Sequence, residues 1–323
     1  MNQKIKYTPR MIRDTWNSKY EWDRYNIINN ELQHYSEVNA RFHNILEAVN
    51  GDILQITARQ ESAVGPFHTS EGPKWDAQPY TSAMFQSQDK AFATTGDYVE
   101  FYAKLPSEEG CFPAGWLLRR DPVWAKTEID VFEGIHDVNE GNYHIAHHSH
   151  TAEGGTYQKM GQTIKTGENL TEEYHRYGVH IQEHHLDYYF DRKLVGSVPL
   201  HDHEKNLEYY MLFNLAVAGE GTWAAGDATF PYNWPEGRAD LYLLEIGVYD
   251  GVPSPVLNTI ISVDEALLPE TELDIILDGL DEDLKDALPD DVFDAPYPEP
   301  VKKKKDNIFL RIIKSFLSAL RLR

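Results

Sequence analysis

The stretch TEIDVFEGIH, residues 127–136, sets three carboxylates, Glu128, Asp130 and Glu133, inside a run of β-favouring apolar residues. Acids this close repel one another and are costly to dehydrate, so a half-buried strand carries them for a reason. Strict alternation puts Glu128, Asp130 and Phe132 on one face and turns Glu133 to the other. One extra residue, a β-bulge at Val131 or Phe132, returns Glu133 to the side of Glu128 and Asp130, and bulges gather beside active sites. The plain alternative is a solvated strand face, against which the apolar neighbours Ile129, Val131 and Phe132 weigh.

The surrounding sequence has the same β character. Short runs rich in Val, Ile, Tyr, Phe and Thr, at 51–58, 96–105, 177–183, 186–198 and 241–250, are separated by Gly, Pro, Asn and Asp turns. Within the first, Ile53, Gln55 and Thr57 share one face and Leu54, Ile56 and Ala58 the other. A hairpin is expected around Asp191 to Lys193. Residues 20–250 hold no internal repeat, glycine-rich phosphate loop or long helix, so the class is an all-β sandwich or barrel.

Composition bounds the function. With 323 residues, 41% of them hydrophobic and 12% aromatic, the chain can build one sandwich of about 200–250 residues with extensions. A formal net charge of −22, from 30 basic and 52 acidic residues, argues against nucleic acid as a partner, because binding phosphates needs a positive face. The single cysteine, Cys111, excludes an intrachain disulfide and speaks against a Cys/His zinc site. Behind Lys4, Lys6 and Arg10 there is no apolar run of the length a secretory signal needs, and no stretch suits a transmembrane helix.

Charge divides the chain into residues 1–263, the β domain; 264–300, an acidic linker with fourteen acids against one base and five prolines; and 301–323, with eight bases against one acid. In the last segment Phe309, Ile312, Ile313, Phe316, Leu317 and Leu320 recur at helical spacing, which predicts a basic amphipathic helix. Its apolar face can pack on the domain or a sister chain, lie on an anionic membrane surface, or dock into a larger assembly.

Three acids on one concave face acquire a use in glycoside hydrolysis. Retaining glycosidases need a carboxylate nucleophile and a second carboxyl about 5–5.5 Å away that serves as acid and then base. An aspartate between them keeps their proton affinities apart. The later stretch NYHIAHHSH, 142–150, gives His144, His148 and His150 one strand parity, which leaves a metal site open, although no third ligand type accompanies them at diagnostic spacing.

The run EIDVFE resembles the bulged E-x-D-x-x-E signature of glycoside hydrolase family 16, the laminarinase, agarase and carrageenase group. Segments 29–60, 80–84, 96–121, 174–198 and 209–231 are similar to that family in the same order, covering roughly residues 20–250. The resemblance implies a jelly-roll β-sandwich with an open cleft on its concave face and a polysaccharide partner. It implies Glu128 as nucleophile, Glu133 as acid/base and Asp130 as the residue tuning the nucleophile. Cleft aromatics are expected at Trp116, Trp124 and Trp223, a polar pair at Asn30 and Glu31, and an amide near the centre at Asn214. The family's paired histidines match His144 and His148, with His147 the alternative if the register slips by one. No cofactor is implied for catalysis. Leu244 stands where many relatives have an aspartate that helps hold a structural calcium, so calcium is doubtful here.

The expectation is an endo-acting, retaining hydrolase of a β-linked polysaccharide, of exopolysaccharide, β-1,3-glucan or galactan type. A non-hydrolytic glycan-binding module and a transglycosylase on the same scaffold are the alternatives. An enzyme acting on extracellular glycan without a signal segment would leave by another route or travel on a larger particle such as a virion.

Overall fold

The computed structural model describes residues 3–19, 29–36, 39–43, 53–69, 72–88, 90–120, 127–150 and 157–254. Trp124 and the whole of 264–323, with its expected linker and basic helix, lie outside the described residues.

Among the described residues, ten strands form one sheet and six form a second. The larger runs in the order Lys193–Pro199, His185–Phe190, His175–Ile181, Asp97–Lys104, Arg238–Asp250, Ile53–Arg59, Tyr80–Ser82 and Gln33–Tyr35. Gln3–Tyr7 also pairs with Arg238–Asp250, and Ala40–His43 with Ile53–Arg59. The smaller runs Tyr157–Lys165, Asn142–His150, Glu128–Glu133, Cys111–Arg119, Tyr209–Val217 and Met84–Gln86. Pairing is antiparallel except between Gln33–Tyr35 and Tyr80–Ser82.

The two sheets meet through aromatic side chains. The Phe101 ring packs 5.9 Å from Phe132 and 6.2 Å from Phe213, and Phe132 lies 4.5 Å from Tyr177. Each ring buries a large apolar area and adds about 0.5–1.5 kcal/mol per pair beyond burial. The alternation expected in Ile53–Arg59 is present: Leu54, Ile56 and Ala58 are fully buried in this core. The expected hairpin turns at Asp191 and Arg192, both with positive φ (46° and 62°), as a tight two-residue connection requires.

Two elements precede the point where the sequence predicted β structure to begin. Gln3–Tyr7 is a strand whose charged positions escape an apolar-run criterion; Lys4 and Lys6 pair with Asp97 and Glu245 instead. Pro9–Thr15 is a single short helix with Pro9 in its first turn and Thr8 capping the Met11 N–H at 3.4 Å.

On the larger sheet, Arg176 reaches Glu100 at 2.6 Å and Glu245 at 2.9 Å, while Arg192 donates to both oxygens of Glu100 at 2.9 Å. These contacts account for a glutamate only 1% exposed within a strand.

Candidate active site

The smaller sheet has two differently populated faces. Leu117, Ile129, Val131, Phe132, Met211 and Phe213 belong to the inter-sheet core, whereas Ala114, Trp116, Leu118, Tyr210 and Leu212 form a separate cluster on the other face with Tyr35 and Met84. That Val131 and Phe132, consecutive in sequence, both pack into the core means that alternation is broken between them.

Register locates the break. On one side Gly115 pairs with Phe132 and Trp116 with Asp130, so one step opposes two. On the other, Asp130 pairs with Ala146 and Glu133 with His144, so three steps oppose two. This is the bulge that the sequence called for. Glu128, Asp130 and Glu133 consequently register with Leu118, Trp116 and Ala114, all on the face away from the core. Gly115 is part of the device: a Cβ there would lie 2.3 Å from the Phe132 ring.

Burial then separates the three acids. The Glu128 side chain is about a third exposed, whereas Asp130 and Glu133 are 4% and 9% exposed. Burial pushes the Glu133 carboxyl well above the usual carboxylate range, with Asp130, Glu128 and Glu31 adding repulsion and the Lys159 ammonium opposing it. A carboxyl so placed favours its protonated form, the form that can deliver a proton.

The next strand supplies the histidines. His148 pairs with Glu128, and its Nε2 lies 3.2 Å from Asp130 Oδ2 and 3.9 Å from Glu128 Oε1. The register thus puts His148 among the acids and turns His147 to the core. His144 pairs with Glu133, and Gly161 on the following strand leaves room for its ring, since a Cβ there would be 2.8 Å from His144 Nε2. Burial lowers the His144 proton affinity, with Lys159 adding to the effect.

Trp223 stands beside this group, 47% exposed, with its ring 5.1 Å from His144 and 5.7 Å from Phe112. The Lys159 ammonium lies 5.1 Å from the Trp223 ring centroid. Trp116, by contrast, is built into the floor: its indole N–H donates to Asn214 Oδ1 at 2.8 Å, and Asn214 Nδ2 donates to the Tyr35 hydroxyl at 3.1 Å. Asn30 is exposed with φ of 57°, and its carbonyl packs against Gly219, where a Cβ would lie 2.2 Å away. Glu31 is buried, accepts from Gln33 Nε2 at 2.7 Å, and is pushed up to about 7 by burial.

Sequence reading missed Lys159 and Gln33. Neither sits in a recognisable motif; only pairing brings Lys159 opposite His148 and takes Gln33 Oε1 to within 2.7 Å of the Val217 N–H. Among the described residues two groups have metal-ligand spacing, Glu128–Asp130–His148 and Glu168–His175–Asp191. The first is the acid group with its histidine, and in the second His175 Nδ1 lies 3.0 Å from Asp191 Oδ2. These mutual contacts account for both.

Comparison with known proteins agrees with the geometry. The model of glycosyl hydrolases family 16 matches residues 34–236. The endo-1,3-1,4-β-glycanase EglC of Rhizobium meliloti (strain 1021) is 30% identical over 214 residues, covering 63% of this chain and 42% of that protein. The endo-1,3-1,4-β-glycanase ExsH of the same organism is 32% identical over 174 residues, covering 53% of this chain and 34% of that protein. The chain thus spans less than half the length of these two relatives. The laminarinase catalytic domain of Thermotoga maritima MSB8 superposes with a TM-score of 0.58 at 21% identity, covering 78% of this chain and 99% of that one. The sandwich and its bulged acidic strand are of the kind that family model describes, and since the match takes in more than half of the chain, the chain belongs to family 16 of the glycosyl hydrolases.

Proposed function

We propose that the chain is an endo-acting, retaining hydrolase of β-linked glucan, with Glu128 as nucleophile and Glu133 as acid and base. The observation that carries this reading is the bulge, which gathers three acids on one face while burial keeps a proton on Glu133.

In the first step Glu133 donates its proton to the departing glycosidic oxygen while Glu128 attacks the anomeric carbon, giving a glycosyl-enzyme. In the second, Glu133, now ionised, takes a proton from water, which displaces Glu128 and releases the sugar with net retention. Asp130 lies between the two along the strand, its Oδ2 3.2 Å from His148 Nε2, and tunes the nucleophile from that position. Trp223 offers an apolar ring face to a sugar next to Glu133, the exposed Asn30 provides a polar contact, and Asn214 and Glu31 hold the buried polar framework beneath. The two-carboxyl chemistry needs no cofactor. The names of the relatives, an endo-1,3-1,4-β-glycanase and a laminarinase, favour β-1,3-linked or mixed-linkage glucan as substrate.

The test is reducing-end release from laminarin, mixed-linkage glucan, agar and carrageenan by wild type and by Glu128→Gln. Release abolished by the substitution, with a β-anomer as first product by proton NMR, is expected. Release unaffected by it, or none from any glycan, overturns the reading.

A further inference from the structure

Beneath the acidic strand, on its core side, lies a histidine–glutamate pair that the reaction described above does not use. His147 is fully buried and registers with Ile129 of the acidic strand and Met160 of the next. Its Nδ1 lies 3.0 Å from the main-chain carbonyl oxygen of Glu128. Its Nε2 lies 3.1 and 3.2 Å from the two carboxylate oxygens of Glu204, a residue only 1% exposed. Glu204 comes from the short turn Asp202–Glu204, between the strands Lys193–Pro199 and Tyr209–Val217.

We propose that His147 and Glu204 form a buried positioning pair in which the doubly protonated ring holds the main chain of Glu128 from beneath. The proposal rests on the reading of Glu128 as nucleophile. A carbonyl oxygen can only accept, and an ionised carboxylate can only accept, so both ring nitrogens donate and the ring carries a positive charge. Burial alone pushes the Glu204 carboxyl up, but hydrogen bonding to His147 and its charge, to Ser149 and to the His201 N–H at 2.8 Å outweigh it, bringing it down to about 2.

The arrangement is costly for a purely structural contact. Two apolar side chains would join these elements without the desolvation that a buried ion pair incurs. Here the pair ends on one atom, the Glu128 carbonyl, and ties the nucleophile's backbone to a turn 76 residues away in sequence. The cation also lies close under Glu128, where it favours the ionised nucleophile. Among the described residues, the other charged or titratable groups that act on the pair or its neighbours are His201 from the turn, and Tyr209 and Arg119 from the neighbouring strands. On the opposite face the Glu128 carboxylate lies 3.9 Å from His148 Nε2, and Asp130, Glu128 and Lys159 all act electrostatically on Glu133.

Ring-nitrogen NMR of the histidine-labelled full chain at pH 7 tests the assignment without reference to activity. Both nitrogens of His147 should be protonated, and one should lose its proton in Glu204→Gln; a neutral tautomer in wild type overturns the proposal. On laminarin, folded Glu204→Gln and His147→Gln should show kcat reduced about tenfold with KM within about twofold. The acid limb of the kcat profile should move to higher pH, and Glu204→Asp, which keeps the charge, should recover part of the loss. Unchanged kcat and acid limb in folded Glu204→Gln overturn the positioning role. If that variant does not fold, His147→Gln and Glu204→Asp decide it. If wild type cleaves no glycan, the functional reading fails while the ring-nitrogen result still decides the pair.

Discussion

Gly115 and Phe132 face each other across the acidic strand's ladder, with the phenyl ring 2.3 Å from the point a Cβ would occupy. The absence of a side chain on one strand therefore admits the ring that the bulge pushes into the core on the other.

Gly115→Ala should displace Phe132 and disturb the bulge. Overpacking of this kind costs about 1–3 kcal/mol, and a shift of about 1 Å in Glu133 relative to Glu128 can cost about 10²-fold in rate. A melting curve and kcat on laminarin check both. A cooperative fold with a far larger loss in kcat than in stability is expected.

Lys159→Met should shift the alkaline limb of kcat/KM. Glu133 must be protonated for the first step, so activity falls as pH rises through its pKa; burial and neighbouring acids raise that value and Lys159 opposes them. Removing the ammonium leaves the proton held more tightly. The limb should therefore move to higher pH, and a limb that stays in place or moves down contradicts this role.

Trp223→Ala should weaken polysaccharide binding and leave the fold intact. An aromatic–sugar contact of about 0.5–1.5 kcal/mol corresponds to roughly 2–12-fold in KM. Because the ring is 47% exposed, the melting temperature should change little. Equal falls in kcat and stability would show instead that the ring is structural.

Glu31→Gln should change the pH dependence of stability. Glu31 is raised to about 7 against an ordinary 4.5, so its contribution is fully present below about pH 4.5 and is lost as pH rises through about 7. The shift corresponds to a few kcal/mol, about 1.4 per unit. Thermal unfolding of the variant should match wild type near pH 4 and exceed it at pH 8. A difference that does not vary with pH removes Glu31 as the source.

The acidic strand was legible because one period-breaking carboxylate can be seen in sequence alone; the alternation of Ile53–Arg59 and the turn at Asp191 were legible for similar local reasons. Which of two adjacent histidines faces the acids was not, since parity depends on where the ladder with Glu128–Glu133 starts. Glu204 and Lys159 carry no local signal at all. Their significance comes from pairing across distances no motif spans, and the same holds for Gln3–Tyr7, whose lysines find their partners on strands far along the chain.

Arg238–Asp250 enters the larger sheet between Ile53–Arg59 and Asp97–Lys104, and also takes Gln3–Tyr7 along its second half. The last described strand is thus an interior one, so until residue 250 has left the ribosome two earlier halves of the sheet have nothing to join them. Folding has to wait for nearly the whole domain to be made, with long loops to close and exposed strand edges in the interval.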